Sequence, residues 1–383
     1  MKQTNLVCTI LALCLIALSA CRKDNIEATS ANSSTENSLS QDFTSEQGAV
    51  VTMDNAWKAN HVIVFKRAAN GSLSGPAVFP TGGRGTGAGL GSQGAIAADD
   101  HLLFVCNAGS NEITVFRING MSLIRVDKVS SYGIMPISLT VHDNFLYVLN
   151  AGGSGNISGF RIHDDGHLSH ILHSTRKLST DSSGPAQIEF NHAGTQLVVT
   201  EKMTNRILTY SVHANGLTDP FVVHHSAGAT PFGFEFGKQN ELIVSDAFGG
   251  AVNASALSSY KLNNNGNLSL ITGPVATHQT AACWVAVTKD GRYCYTTNTG
   301  SNSISGYRIT DEGALKLIDA NGVTAATGST PIDMALSRES QYLYALSEGS
   351  GSISAYKVNN NGGLTSIGEV NGIPTSASGM AAR

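Results

Sequence analysis

One pattern recurs along the chain at intervals of 44 to 51 residues, and a repeat of that length leaves few folds open. Its marker is an aromatic residue inside a short apolar run: Phe65, Phe116, Phe160, Tyr210, Tyr260, Tyr307 and Tyr356. The runs read alike, as in NEITVFRI, NSISGYRI and GSISAYKV. The fullest copy spans residues 284–315, where an apolar run meets a turn at Asp290-Gly291, a second run ends in Asn298, and a third leads through a Gly turn to Leu315. Most copies leave the marker through a step such as Asn70-Gly71, Asp165-Gly166 or Asn265-Gly266, where Gly supplies the positive φ of a tight hairpin.

Seven copies of four short strands, without a 3.6-residue apolar period, predict an all-β fold: a seven-bladed β-propeller of four-stranded antiparallel blades. The first copy has runs for its second, third and fourth strands (50–53, 62–66, 73–79) but none for an inner strand. Residues 378–382 read as an inner strand with no copy after it. They are expected to complete blade one and close the ring, which leaves no free sheet edge.

Ahead of the repeats, Lys2 precedes an apolar segment (6–18) too short to span a bilayer, and the segment ends in Leu18-Ser19-Ala20-Cys21. Those four residues resemble the lipidation motif of bacterial lipoproteins. Residues 1–20 are therefore expected to be a signal peptide and Cys21 the lipid-bearing mature terminus. Residues 21–48, rich in Ser, Thr, Asn and Glu, are expected to form a disordered tether, because they cannot bury enough apolar surface to order themselves. The expected location is the cell envelope, periplasmic or surface-exposed, with membrane contact through Cys21 only and the propeller (49–383) a monomer.

Composition removes some function classes. A net charge of -4 with 14% charged residues offers no basic face, so nucleic acid is not an expected partner. His163, His167, His170 and His173 fall on both faces of a strand and round its turn without ligand spacing, so no metal is expected. The glycine-rich stretch Pro80 to Gln93 has neither a full Gly-x-Gly-x-x-Gly nor a Walker lysine, and no cofactor is expected. In the propeller, Cys106, Cys283 and Cys294 cannot all pair with one another. A two-residue turn at Asp290-Gly291 sets Cys294 opposite Val287 and Cys283 opposite Asn298, too far apart for a bridge, so buried free thiols are expected.

Propeller topology brings second-strand ends and inner-strand starts to one face, here the top. The second strands end in Asn55, Asn107, Asn150, Glu201, Asp246, Asn298 and Ser347. Two readings stand: a ring of donors and acceptors round the channel mouth, or residues that favour the turn that follows. Turn chemistry does not account for Glu201. The inner-strand starts place Gln93, Ser138, Gln187, Gly233, Trp284 and Asp333 near the same mouth. Asp333 is the one carboxylate among them, and Trp284 is either a stacking surface or packing between blades. The stretch from Pro80 to Gln93 reads as a flexible flap, with Arg84 able to hold a substrate carboxylate or to sit solvated. His278 is either a proton-transfer group or an exposed loop residue.

The run PIDMALSRESQYLYALS from Pro331, with CYTTNTGSNSISGYRI and the NNNGGL turn, resembles the lactonase-type seven-bladed propellers, which include bacterial 6-phosphogluconolactonases and fungal 3-carboxymuconate cyclases. The resemblance covers 49–383 and implies the propeller fold with a lactone or carboxylate substrate on the top face. Where that family carries Pro-His-x-His, this chain has Pro185-Ala186-Gln187-Ile188, and Thr200-Glu201-Lys202 is its nearest match to an Asn-Glu pair. Two functions are expected as alternatives. One is an exported lactone hydrolase or cyclising isomerase, in which Glu201, Asp333 or Asp246 moves a proton and Arg84 or Lys202 holds a carboxylate or oxyanion. The other is a non-catalytic envelope propeller that binds a glycan, peptide or protein partner through Asn107, Asn150, Asn298 and Trp284.

Overall fold

The structure is a computed structural model that describes residues 48–383. The expected signal, Cys21 and the tether lie outside the described residues, except Gly48, which already belongs to a strand. Seven antiparallel sheets are present among the described residues, and each takes its strands in sequence order from the channel outward, with one exception. That exception is blade one, where Gly48–Met53, His61–Arg67 and Leu73–Pro80 are the second to fourth strands. Its inner strand is Ser378–Ala382, paired antiparallel with Val50 opposite Ala382 and Thr52 opposite Met380.

Turn and packing chemistry explain why the repeats stack. Tyr147, Tyr295 and Tyr344 of the second strands are buried, and each Oη donates to a glycine carbonyl in the hairpin turn of the next blade, at Gly216 (2.6 Å), Gly362 (2.9 Å) and Gly71 (2.8 Å). Gly71 has φ +84°, and a Cβ there would lie 2.3 Å from the Tyr342 ring, so turn and neighbour together require glycine. The Tyr344 bond spans the seam between the last blade and the first. The seam is thus locked by the same device as two other blade junctions.

The inner strands of blades three to seven share a bulge near their start, just after Pro136, Pro185, Pro231, Ala282 and Pro331. Four of these are proline, which brings no N–H to the ladder and favours irregular pairing there. The bulge shifts one expected register: Cys294 lies opposite Val287 as expected, but Ala282 rather than Cys283 faces Asn298. Cys106, Cys283 and Cys294 are all buried free thiols. Among the described residues no helix is long and apolar enough to cross a membrane.

Candidate functional site

The top face is closed. The stretch from Pro80 to Gln93 is not a loose flap: its last turn crosses the mouth and bonds to blade after blade. Leu90 N–H donates to Ser378 Oγ of blade one at 3.3 Å, and Ser92 Oγ donates to the Ile137 carbonyl of blade three at 2.8 Å. Gln93 N–H donates to the Ala186 carbonyl of blade four at 3.1 Å. The Gln93 amide then pairs with blade six, its Nε2 donating to the Val285 carbonyl (2.8 Å) and its Oε1 accepting from Val285 N–H (2.9 Å). A chain segment held from so many blades is a strap, and its anchors are buried Ser92 and Gln93.

Trp284 and Lys202 meet at this strap. Trp284 Nε1 donates to the Ser92 carbonyl at 3.0 Å, and its ring packs 4.9 Å from that of Phe232, so it is buried structure and presents no stacking face to solvent. Lys202 Nζ donates to the Gly91 carbonyl at 2.6 Å and lies 4.6 Å from the Phe232 ring centroid. Burial lowers its pKa to about 8, while the nearby Cys283 acts weakly the other way.

The second-strand ends are turn locks. Asn107 Nδ2 donates to Thr114 Oγ1, Asn150 Nδ2 to the Ser131 carbonyl, and Asn298 Nδ2 to the hydroxyls of Ser303 and Ser305. All three side chains are fully buried, as are Glu201 and Asp246. Glu201 accepts from Ser179 N–H (2.9 Å), Ser179 Oγ (2.5 Å) and Thr204 Oγ1 (2.6 Å). Asp246 accepts from Ser258 Oγ (2.5 Å) and Ser226 Oγ (3.1 Å), and burial raises its pKa to about 7. Asp333 is buried beside the channel with Oδ1 on Met334 N–H at 2.8 Å and Oδ2 unpartnered, and burial raises its pKa well above the usual range. Arg84 is exposed over blade two, its backbone N–H on Ser110 Oγ, and His278 is exposed at φ +57°. The sequence candidates therefore sit in separate hydrogen-bond networks, and only Lys202 and Trp284 share a neighbourhood.

Below the strap, the channel is open. A cavity of about 580 Å³ runs from Gln93, Gln187 and Asp333 down to His192, Lys238, Lys289 and Ser340, so its mouth is on the face opposite the one expected. Ala97, Ala286, Ala335 and Ala381 leave much of the wall empty of side chains. Facing into that space are Glu189 and Glu235, at matching positions of the inner strands Pro185–Phe190 and Pro231–Phe236. Burial raises both pKa values, Glu189 well above the ordinary carboxylate value, with the charge of neighbouring Glu235 adding to that rise. Two neighbouring buried carboxylates cannot both ionise easily, which favours the protonated form of one of them.

The surroundings make the two partners unequal. Glu235 Oε1 accepts from Phe236 N–H at 3.1 Å, and His192 close by favours its charged form. Glu189 Oε2 accepts from Gln187 Nε2 at 2.8 Å. Gln187 is itself clamped to Phe234, donating to its carbonyl (2.9 Å) and accepting from its N–H (2.7 Å), which fixes the spacing of the two inner strands. These surroundings favour the charge on Glu235 and the proton on Glu189. The sequence signal for the pair was present in PAQIEF and PFGFEF, where adjacent blades carry Glu-Phe at the same step.

A family model described as "Lactonase, 7-bladed beta-propeller" matches residues 58–178 and 181–377. No curated protein matches this chain. Among solved structures, a 6-phosphogluconolactonase candidate from Bacteroides fragilis is 15% identical with a TM-score of 0.68, covering 88% of this chain and 98% of that one. A periplasmic gluconolactonase from Pseudomonas aeruginosa is 16% identical with a TM-score of 0.67, covering 87% and 98%. A protein from Lactobacillus plantarum is 15% identical with a TM-score of 0.71, covering 87% and 98%. At such identities the solved structures speak to fold, and the family match covers most of the chain: it belongs to the lactonase family of seven-bladed β-propellers.

Proposed function

We propose that this chain hydrolyses a small lactone in its central channel, entered from the face opposite the strap. The observation that carries this reading is the Glu189–Glu235 pair, two carboxyl groups at matching positions of adjacent inner strands on the wall of an open cavity of about 580 Å³, with both pKa values raised by burial. Glu235 takes a proton from water as the water oxygen bonds to the lactone carbonyl carbon. As the ring C–O bond breaks, Glu189 gives its proton to the departing oxygen, and the product is the open hydroxy acid. The proton on Glu235 then returns to Glu189, which restores the starting state. The export signal and Cys21 support an envelope location with a lipid anchor, and a periplasmic gluconolactonase is among the similar structures.

The test is turnover of a panel of aldonolactones and muconolactone by purified protein, repeated with Glu189→Gln and Glu235→Gln. Each variant is expected to lower kcat/KM by about 100-fold or more with an unchanged melting temperature or a higher one. The wild-type pH profile is expected to be bell-shaped, because activity needs one proton on the pair, neither two nor none. Absence of turnover across the panel, or wild-type rates in both variants, would remove the reading.

A further inference from the structure

Gly48, the first described residue, enters blade one on the face where the channel opens, because its strand runs from that face to the second-strand end at Met53. A Cβ at Gly48 would lie 1.8 Å from the Arg383 carbonyl oxygen and 2.6 Å from a guanidinium nitrogen of Arg67, so the chain arrives packed against both. Gly48 and Ala49 also line a cavity of about 980 Å³ between blades one, two and seven. The residues before Gly48 therefore set out from the rim of that cavity.

The lining of the cavity is mixed. Val51, Val64 and Leu103 form an apolar floor, with Ile118, Met121 and Leu123 beside it. Among the described residues on its wall, Arg67, Arg338 and Arg383 stand against two carboxylates, Asp100 and Glu339. Arg338 pairs with Asp100 at 2.7 Å, but Glu339 also holds Lys289 at 2.6 Å. Arg67 Nε and Arg383 donate to backbone carbonyls, those of Arg383 (3.0 Å) and Asp100 (2.8 Å), and such bonds do not cancel a charge. The wall thus keeps an excess of positive charge. A wholly apolar occupant would strand that charge, and a wholly polar one would leave the floor wet.

Residues 40–47, SQDFTSEQ, lie outside the described residues and carry the complementary pattern: one aromatic, Phe43, flanked by Asp42 and Glu46, with no Lys or Arg. We propose that this segment docks in the cavity, with Phe43 on the floor formed by Val51, Val64 and Leu103 and its two acids toward Arg67 and Arg383. Val51 is three residues along the strand from Gly48, roughly 10 Å. Phe43 is five residues before Gly48 and can reach at most about 18 Å, so the chain has the length to fold back to the floor. A segment too polar to order by itself takes its order from the surface it covers. Ala98, Ser337, Arg338 and Ala381 belong to the walls of both this cavity and the channel, so the docked segment lies beside the channel mouth. The docking does not depend on the channel being catalytic.

Hydrogen exchange on residues 21–383, with Cys21→Ser to keep the chain free of lipid, provides the test. Covering a Phe side chain shifts a docking equilibrium by roughly tenfold to a hundredfold, so the amides of residues 42–47 are expected to exchange about tenfold or more slower than in the free peptide SQDFTSEQ. Phe43→Ser removes the floor contact without touching the propeller, and Met121→Glu puts a carboxylate where the acidic segment lies. Each is expected to return these amides to the free-peptide rate while the inner strands exchange as in wild type. Free-peptide rates in the parent chain overturn the docking, as does protection that survives both variants. Protection that grows with protein concentration assigns the cavity to a second copy's segment and overturns docking within one chain.

Discussion

Asp246 closes the second strand of blade five with its carboxyl fully buried between Ser226 and Ser258. Burial raises its pKa from 3.8 to about 7, so the folded chain keeps a proton that the unfolded chain releases. Below about pH 4 both states hold the proton and the fold loses nothing; as pH rises through 7 the folded state must give it up inside the protein. Stability therefore falls with rising pH across that window, by up to about 4 kcal/mol for this residue. Asp333, Glu189 and Glu235, also raised, act with the same sign. The melting temperature is expected to drop between pH 5 and pH 8, and Asp246→Asn to make that drop smaller, since a neutral amide keeps both serine partners without titrating. A variant whose melting temperature falls as steeply as wild type would show that Asp246 is ionised in the folded protein at both pH values.

Among the elements, the strap from Pro80 to Gln93 departs most from its sequence reading. Its composition, with six glycines from Gly82 to Gly91, looks like a flexible segment, and local reading has no way to see what holds it. Gln93 and Val285 are 192 residues apart, and their two bonds form only once the ring has closed. Gln93→Ala would leave the buried Val285 N–H and carbonyl unpaired, at a cost of about 1–3 kcal/mol in urea unfolding. An unchanged unfolding midpoint would mean that the strap is not part of the channel floor. The strands, by contrast, were legible to within two residues in blade one, because period-two alternation and Gly turns are local signals. The candidate site was less so. Glu201 and the three asparagines stand where a ring of ligands would stand, and their partners are hydroxyls and backbone groups, in loops at Ser179 and Ser131 and on the third strands at Thr114 and Ser303, that no local pattern predicts. Glu189 and Glu235 lie nearer the far ends of their inner strands, where alignment of strand starts does not look.

At the scale of the whole molecule, a ring of blades holds because its two chain ends share one sheet. The Ser378–Ala382 strand completes blade one, contacts the inner strand of blade seven and lies beside the first residues of blade two. Tyr344→Phe removes one seam hydrogen bond, to Gly71, and is expected to cost about 1 kcal/mol, the same as Tyr147→Phe or Tyr295→Phe at the other junctions. Deleting residues 378–383 is a different perturbation. It exposes the full edge of Gly48–Met53, a strand buried along its whole length, and it removes Met380 from the core beside Met334 and Val50. An open, flat, apolar edge recruits other strands. The truncated chain is therefore expected to lose its single cooperative melting transition and to elute as larger species than the wild type in size-exclusion chromatography, whereas Tyr344→Phe elutes as the wild type does, with a small loss in melting temperature. A truncated chain that elutes as the wild type does and melts in one step near the wild-type temperature would show that six blades and an incomplete seventh already close the ring without that strand.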